Sequence, residues 1–446
     1  MILEWGCYTD NVSPRPATRI TLKARLIPIL IGLLAILQLT FPYRGWLLLL
    51  FVLGGLWLVC YMWARSLSNG LHLIREMRYG WTQVGDRLEE RFVLTNRSNM
   101  PALWVEVKDQ SNMPGYDTSR GTGIEGLGTN EWRTQSVCTR RGVFSLGPTD
   151  VIAGDPFGIF TVQTRFQATQ SLLVLPPIIP LPDIEVAPGG RAGEGRPRPN
   201  ALERTVSSAG VREYLPGDSV HWVHWPTSAR QGMLYVRTFE STPASDWWVI
   251  LDMDRSTQAG AGDRSTVEHS ITLAASLADL GIRSGKSLGF TAFGNDLVWL
   301  PPMGGDTQRW NILHAMALLG PGSLSLPELL SRVRPTLRQN TSLVVITASK
   351  EQRWIDSLIL MMRGGTVPTV LLLDASAYEP MGQPKHTGDL ASLLVSLGIS
   401  CTTITPDLFD RPEARPGHLG DIEVRVLPNG RVVRVGREQA DDWRSL

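Results

Sequence analysis

The sequence has few cysteines and almost no excess charge. Its 446 residues include four cysteines, Cys7, Cys60, Cys138 and Cys401, which lie far apart. A disulfide framework or a cysteine-based zinc cluster is therefore not expected, and a reducing compartment fits this usage. The formal net charge is +1, so nothing indicates a polyanionic partner, and nucleic acid binding is not expected.

Complete catalytic motifs are also missing. The sequence has no His-Glu-x-x-His motif and no complete P-loop. No Gly-x-Ser-x-Gly nucleophile elbow of a hydrolase is expected. The sequence therefore does not predict an enzyme.

Two uncharged apolar runs stand near the start of the chain, at residues 26–41 and 46–63. Each is at the short end of what crosses a bilayer, where about 17 to 25 residues are expected. Only Pro-Tyr-Arg-Gly separates the two runs, so residues 26–63 predict a transmembrane helical hairpin. The alternative is a pair of buried core helices, but two such adjacent runs are rare in soluble domains.

Basic residues are concentrated at the two ends of this hairpin rather than in its turn. They are Arg15, Arg19, Lys23 and Arg25 before it and Arg65, Arg75 and Arg78 after it, whereas the turn holds only Arg44. The positive-inside rule then places residues 1–25 and everything after the hairpin in the cytoplasm. We expect a protein of the cytoplasmic (inner) membrane with both termini and its large soluble region cytoplasmic.

Four patterned segments follow the hairpin. Residues 80–175 alternate apolar and polar residues in short runs, which predicts a small β-sandwich. Residues 176–200 are rich in Pro, Gly and Arg and predict an extended linker. Residues 201–410 alternate strand-like and helical patterns, which predicts a doubly wound α/β domain, its first helix ending at Gly281. Residues 411–446 read as a β-hairpin around Asn429 and Gly430.

Residues 211–240 carry the most specific sequence pattern, VREYLPGDSVHWVHWPTSARQGMLYVRTFE. The chain resembles, through this segment, the bacterial family called domain of unknown function fifty-eight. The matching positions are Arg212, Glu213, Tyr214, Pro216, Gly217, Asp218, Val223, Trp225, Ser228, Ala229 and Arg230. Most of them are expected to be structural.

The resemblance implies a fold and a partner, but no reaction. It implies a von Willebrand factor A-like domain in the back half of the chain. It also implies an association with MoxR-type AAA+ ATPases, which are thought to help assemble protein complexes.

His221 and His224 raise the question of a zinc site in the same segment. No nearby Cys or Glu completes a ligand set, so a structural role is favoured over zinc. Base stacking by Trp222 and Trp225 is less favoured still, because no basic excess accompanies them.

Asp252, Asp254 and Ser256 follow a continuous apolar run that predicts a buried parallel strand. A-type domains often hold Mg²⁺ through Asp-x-Ser-x-Ser at this place, with a Thr and an Asp from later loops. Here Asp254 replaces the middle Ser, and Ala348, Ser349 and Lys350 stand where the later Asp is expected; Ser323 and Ser325 are weak substitutes for the Thr. The site is either a Mg²⁺ site rescued by Asp254, a degenerate site, or a direct contact for a partner, and a degenerate or weak site is favoured.

These observations together predict a membrane-tethered, cytoplasmic interaction or scaffold protein that works with a MoxR-type AAA+ ATPase. The alternative is a metal-dependent hydrolase using Asp252 and Asp254 at the carboxyl edge of the parallel sheet.

Overall fold

The computed structural model describes residues 17–181, 184, 186–187, 204–214, 223–241, 246–337, 341–378, 387–411, 423–426, 432–435 and 444–445. The chain divides into two compact units, Met1–Leu175 with Glu438–Leu446, and Pro176–Arg437. The expected multidomain, mixed α/β chain is confirmed.

Helices and strands follow one another in chain order through both units. The elements before residue 176 are β1 (Ala17–Leu22), α1 (Leu26–Thr40), α2 (Arg44–Gly70), β2 (Leu71–Met77), β3 (Trp81–Gln83), β4 (Arg87–Asn96), β5 (Ala102–Asp109), β6 (Arg120–Ile124), β7 (Thr129–Val137), β8 (Gly142–Leu146), β9 (Thr149–Gly154), β10 (Phe160–Phe166) and β11 (Gln170–Leu175). The later elements are β12 (Arg204–Glu213), α3 (Trp225–Gln231), β13 (Tyr235–Ser241), β14 (Trp247–Leu251), β15 (Gly260–Ala261), β16 (Arg264–Ser265), α4 (Thr266–Arg283), β17 (Leu288–Phe293), β18 (Leu297–Met303), α5 (Asp306–Leu318), α6 (Leu326–Val333), β19 (Ser342–Thr347), α7 (Arg353–Arg363), β20 (Val367–Leu373), α8 (Thr387–Ser396), β21 (Ser400–Ile404), α9 (Asp407–Asp410), β22 (Glu423–Val426), β23 (Val432–Val435) and β24 (Arg444–Ser445).

The first unit is built from mostly antiparallel sheets. Their strand orders are β1-β10-β9-β5-β6, β24-β2-β4-β7 and β3-β11-β8. Along β4, every second side chain is buried, as a strand with one face on a core requires. The sheet region starts earlier than residue 80, because β1 pairs with β10 and β2 pairs with β4. Part of the predicted N-terminal segment is thus a strand of the sandwich, which its basic residues obscured.

The helices of the predicted hairpin differ in length and in surroundings. Among the described residues, α2 with 27 residues is the one helix long and apolar enough to cross a membrane. Helix α1 has only 15 residues. The later part of α2 buries Cys60, Ala64 and Leu67 in the sandwich core, beside Val105 of β5. Only the first part of α2 is therefore largely an exposed apolar surface. Helix α2 is compatible with a membrane span and α1 is short for one, and the two-helix hairpin stays a prediction.

A buried ion network holds the middle of the sandwich. Arg75 of β2 donates to both carboxylate oxygens of Glu90, at 3.0 and 2.9 Å, and to Asp109 at 2.8 Å. It also donates to the Tyr116 hydroxyl at 3.0 Å, and its guanidinium lies 5.2 Å from the Phe92 ring centroid. Burial raises the pKa of Glu90, and the bonds and charge of Arg75 oppose that shift. Arg75, counted among the basic flanks of the hairpin, is therefore a core residue.

We predict that Arg75→Met strongly destabilises the first unit. The substitution leaves two buried carboxylates without their cation, which typically costs about 3–5 kcal/mol. The measurement is the denaturation midpoint of the full chain in detergent. Arg91→Met is the matched control, because Arg91 bonds Glu131 at the surface, at 2.6 Å, and its loss has a much smaller effect. Equal shifts for both variants would contradict the structural role of Arg75.

The second unit is organised around a six-stranded sheet of order β18-β17-β14-β19-β20-β21. All neighbours are parallel except β17 and β18. Every residue of β14 and of β19 is buried, as strands covered on both faces by helices require. This is a doubly wound sheet with one antiparallel edge strand.

The segment predicted as a linker packs partly on this unit. Its described residues form neither helix nor strand. Ile179 is buried and its N–H donates to Ser276 Oγ of α4 at 2.9 Å, while the Ala187 N–H donates to Thr369 Oγ1 of β20 at 3.0 Å. The prolines here leave few backbone N–H groups to satisfy, so the interspersed isoleucines can be buried without a sheet.

The end of the chain contains the expected antiparallel pair and one further strand. Strands β22 and β23 pair from Glu423 with Val435 to Val426 with Val432. Strand β24 instead pairs with β2, at Glu76 and Met77. The segment 411–446 is therefore shared between the two units.

Candidate functional site

The carboxyl ends of β14 and β19 form the topological switch point of the sheet. The chain leaves β14 toward β17 on one side and later returns to β19 on the other. Ligands of open α/β sheets bind beyond this point, where the loops diverge. Asp252 directly follows β14, and Thr347 is the last residue of β19.

Asp252 lies at the switch point but is not open to solvent. Its side chain belongs to a residue that is 1% exposed. One carboxylate oxygen accepts from the Thr347 hydroxyl at 2.6 Å and the other from the Asp254 N–H at 3.0 Å. Burial raises the pKa of Asp252 to about 6, against the lowering effect of these two bonds. Asp252 thus acts as an internal acceptor that joins two neighbouring strand ends.

Asp254 closes the turn that follows. Its Oδ1 accepts from the N–H of Ser256 at 3.0 Å and from its hydroxyl at 2.9 Å. Gln258 secures the end of the loop, donating to the Asp252 carbonyl at 3.2 Å and accepting from Thr266 of α4 at 2.7 Å. These bonds hold in shape the loop that carries Asp252, Asp254 and Ser256.

A second loop lies against Asp254. Asp254 forms an isolated parallel bridge with Gly322. The Gly322 N–H donates to the Met253 carbonyl at 2.7 Å, and the Arg255 N–H donates to the Gly322 carbonyl at 3.0 Å. A Cβ at Gly322 would collide with the Phe293 carbonyl oxygen, so this approach requires glycine. The loop that carries Ser323 therefore runs beside the acidic turn.

The residues at this edge do not fit a firmly held divalent cation. Mg²⁺ requires an octahedral set of oxygen ligands. Both Asp252 oxygens are engaged by protein donors, and Ser349 is buried while Lys350 is exposed after β19. No group of three His, Cys, Asp or Glu side chains that could hold a metal occurs within the ranges that the structure describes. The degenerate or weak site at Asp252, Asp254 and Ser256 stays a prediction.

The hydrolase alternative has no support in this geometry. A buried Asp252 with both oxygens bonded cannot exchange a proton with a substrate at the surface. Gly285–Gly289 does read Gly-Lys-Ser-Leu-Gly, which contains the Gly-x-Ser-x-Gly pattern. It leads from α4 into β17, however, and the Ser287 carbonyl accepts from Trp247 N–H at 2.8 Å. A nucleophile elbow requires the opposite order, strand to helix.

The segment 211–240 is partly described. Arg212 lies in β12, and the Tyr214 N–H donates to the Leu234 carbonyl. Ser228 is buried in α3 and accepts from the Tyr235 N–H at 2.8 Å. Trp225, Ala229 and Arg230 are exposed on α3. Pro216, Gly217 and Asp218, with His221, lie outside the described residues.

His224 has a structural role in this segment. It is the N-cap of α3, and its ring nitrogen Nδ1 accepts from the Thr227 N–H and lies 2.8 Å from the Thr227 hydroxyl. A capping side chain satisfies a backbone donor that the first helical turn leaves free. The geometry gives His224 a structural role at the start of α3. The preference for structure over a zinc site shared with His221 stays a prediction, because His221 lies outside the described residues.

Sequence reasoning missed Thr347, Gln258 and Gly322. Thr347 was detectable in principle, because a polar residue ends an otherwise apolar strand at the switch point. Gly322 stands in a Gly-Pro-Gly turn, which signals a tight bend but not its neighbour. Nothing in the sequence singles out Gln258.

The second unit is therefore a doubly wound α/β unit with a rigid acidic loop at its switch point. Residues 210–379 match a family model described as "Protein of unknown function DUF58". The expected resemblance is confirmed for this segment, which is less than half of the chain.

One relative of this chain matches it over a stretch of the same length. The chain is 27% identical over 170 residues to "Uncharacterized protein YeaD" from Bacillus subtilis (strain 168), covering 37% of this chain and 39% of that protein. Among solved structures, a von Willebrand factor type A protein from Catenulispora acidiphila is 13% identical, with 43% of this chain and 45% of that chain covered and a TM-score of 0.24. The CARDB domain of a Pyrococcus furiosus protein is 12% identical, with 24% and 94% covered and a TM-score of 0.19. Both TM-scores are low, and neither establishes a shared fold.

We predict that Asp252 makes the stability of the chain depend on pH. Its pKa of about 6 lies above the ordinary value of 3.8, so the native state holds this proton more firmly than the unfolded state. The resulting stability is present at low pH and is lost as the pH rises through about 6. From pH 5 to pH 7.5 the loss is roughly 1–2 kcal/mol.

Asp252→Asn removes this titration. The difference in unfolding free energy between the natural chain and this variant should therefore shift in favour of the natural chain when the pH falls from 7.5 to 5. Denaturant unfolding at both pH values measures the shift, and Asp356→Asn on α7, an exposed carboxylate, is the control. A constant difference across this range would show that Asp252 does not titrate near pH 6.

Proposed function

We propose that this protein is a membrane-tethered, cytoplasmic scaffold whose α/β unit binds a protein partner at the carboxyl edge of the parallel sheet. By resemblance, the partner is a MoxR-type AAA+ ATPase, and the back half is von Willebrand factor A-like. The observation that carries the tether is α2, whose first part is bare and apolar and whose later part is sandwich core.

The exposed apolar side chains of the hairpin support its location in a membrane. Leu33 on α1 is 52% exposed, and Phe51 on α2 is 70% exposed. Such residues occur along α1 and along α2 as far as Met62, and a contiguous patch of this kind is rarely left in water. Strands β1 and β2 directly precede and follow the hairpin in one unit, so both of its ends lie on the same side. The basic flanks then favour the cytoplasm.

We predict that the double variant Leu33→Arg with Phe51→Arg loses its membrane association. Each arginine near the centre of a span costs about 2.5–3.5 kcal/mol of insertion free energy. The measurement is the fraction of the chain that sediments with membranes after a carbonate wash. Val395→Arg on α8 is the control, because Val395 is 61% exposed and lies outside the hairpin. Retention of the double variant at the natural level would exclude the hairpin as the anchor.

The edge of the sheet offers a partner a rigid surface of mixed charge. Its exposed side chains surround the bonded turn at Asp254 and come from three loops; they are Arg255, Ser256, Ser323, Lys350 and Glu351. Because the loops are already held by hydrogen bonds, a partner would order little on binding, which favours affinity. An enzyme would require a nucleophile and oxyanion donors, and the described part of this edge presents no such set.

We predict that Lys350→Glu weakens binding of the MoxR-type ATPase by about tenfold or more, because a reversed charge in an interface costs at least 1.4 kcal/mol. Binding would be measured with the full chain in lipid nanodiscs and the purified ATPase of the same bacterium. Lys286→Glu is the matched control, because Lys286 lies at the amino end of β17, on the opposite edge of the sheet.

Three outcomes separate the parts of this proposal. A loss confined to Lys350→Glu supports the carboxyl edge as the binding surface. Equal losses in both variants would place the contact elsewhere. Absence of binding by the natural chain would remove the ATPase as the direct partner.

A further inference from the structure

A tight turn at residues 155–158 presents one bare aromatic ring. The carboxylate of Asp155, which is 6% exposed, accepts from the N–H groups of Phe157 at 2.9 Å and Phe160 at 2.5 Å. The Gly158 N–H donates back to the Asp155 carbonyl at 3.1 Å. The bonds hold Phe160 inward, where it is 5% exposed, and leave Phe157 outward, where it is 65% exposed. Because the Phe157 ring is exposed on a turn held by these hydrogen bonds, it has no role inside the sandwich.

This turn lies at the base of the helical hairpin. The Ile159 carbonyl accepts from the N–H groups of Lys23 at 2.8 Å and Ala24 at 3.3 Å, directly before α1 begins. On the other side, the Phe160 ring lies 5.7 Å from the rings of both Trp57 and Tyr61 of α2. Ile159 and Phe160, which directly follow the turn, therefore contact the residues just before α1 and the helix α2, so the turn lies close to the base of the hairpin.

Helix α1 is shorter than a bilayer is thick, so the base of the hairpin would lie close to the membrane. Its 15 residues span about 22 Å, whereas the hydrocarbon core of a bilayer is about 30 Å thick. A short span is accommodated by thinning of the bilayer and by drawing the flanking groups inward. Arg44 at the tip limits how far the other end can sink, so the base must approach the hydrocarbon boundary.

Resting on the proposed tether, we infer that residues 155–158 form a second membrane contact, in which Phe157 enters the boundary between lipid headgroups and hydrocarbon. Lys23 and Arg25 are exposed beside α1, where their charges meet lipid phosphates. The negative charge of Asp155 is turned inward onto backbone N–H groups, so it does not repel those phosphates. Aromatic rings favour this depth in a membrane.

The test measures the depth of single positions in the full chain. p-Acetylphenylalanine, carrying a nitroxide through its ketone, replaces Phe157, Phe51 of α2 or Val143 of β8, so the natural cysteines are untouched. Val143 is 50% exposed on β8. Leu146 of the same strand packs in a separate core cluster with Met77 and Leu172, and this cluster includes no residue of α2, so Val143 serves as the aqueous control with the same label. Each chain is reconstituted in phosphatidylethanolamine and phosphatidylglycerol vesicles, and the nitroxide is relaxed by oxygen or by a water-soluble nickel chelate.

We expect relaxation of the nitroxide by oxygen to exceed relaxation by the nickel chelate strongly at position 51 and clearly at position 157. At position 143 we expect relaxation by the nickel chelate to be the larger. If position 157 behaves like position 143 while position 51 lies in lipid, the second contact is wrong and the tether stands. If position 51 is open to the nickel chelate, the tether fails, and the second contact fails with it.

Discussion

One continuous helix, α2, is a core element along its later part and an exposed apolar surface along its earlier part. Its later part places Cys60, Ala64 and Leu67 on one stripe that closes the sandwich core, and Ala64 and Leu67 are fully buried there. Its earlier part continues on the same axis without such cover. Because strand β2 follows the last helical residue directly, the sandwich cannot form without fixing where the hairpin emerges. The first unit is therefore a folded base and an apolar arm made by the same segment.

The sequence was sufficient where a residue pattern has one physical meaning. The unbroken apolar runs of β14 and β19 can only be buried on both faces, and the sheet shows them so. It was insufficient where a residue has two uses. Gly281 was expected to end α4, but the helix continues to Arg283, and a Cβ at Gly281 would press on Trp247 and Leu288. Close packing and helix termination both favour glycine, and only the tertiary contact distinguishes them.

The candidate site shows the same division. The alternation of strands and helices places Asp252, Asp254 and Ser256 at the carboxyl edge, since strand direction alone decides that. What the carboxylates do there depends on Thr347, which is 95 residues away from Asp252. The hydroxyl of Thr347, at the end of the neighbouring strand, donates to a carboxylate oxygen of Asp252 that a bound ion would use as a ligand. Local sequence cannot show this, because it depends on the register between β14 and β19.

The chain leaves the sandwich unit, forms the α/β unit, and then returns to the sandwich unit. It occupies residues 176–437, between Leu175 of β11 and the segment that returns as β24. Mechanically, the α/β unit has one covalent link to the sandwich unit, at residues 175–176, and one non-covalent hold, the two-residue pairing of β24 with β2. A single protease cut at the covalent link would leave only that pairing, whereas a cut before β24 would leave the covalent link intact. A force that pulls on the α/β unit would load both connections, and the pairing of β24 with β2 would separate first.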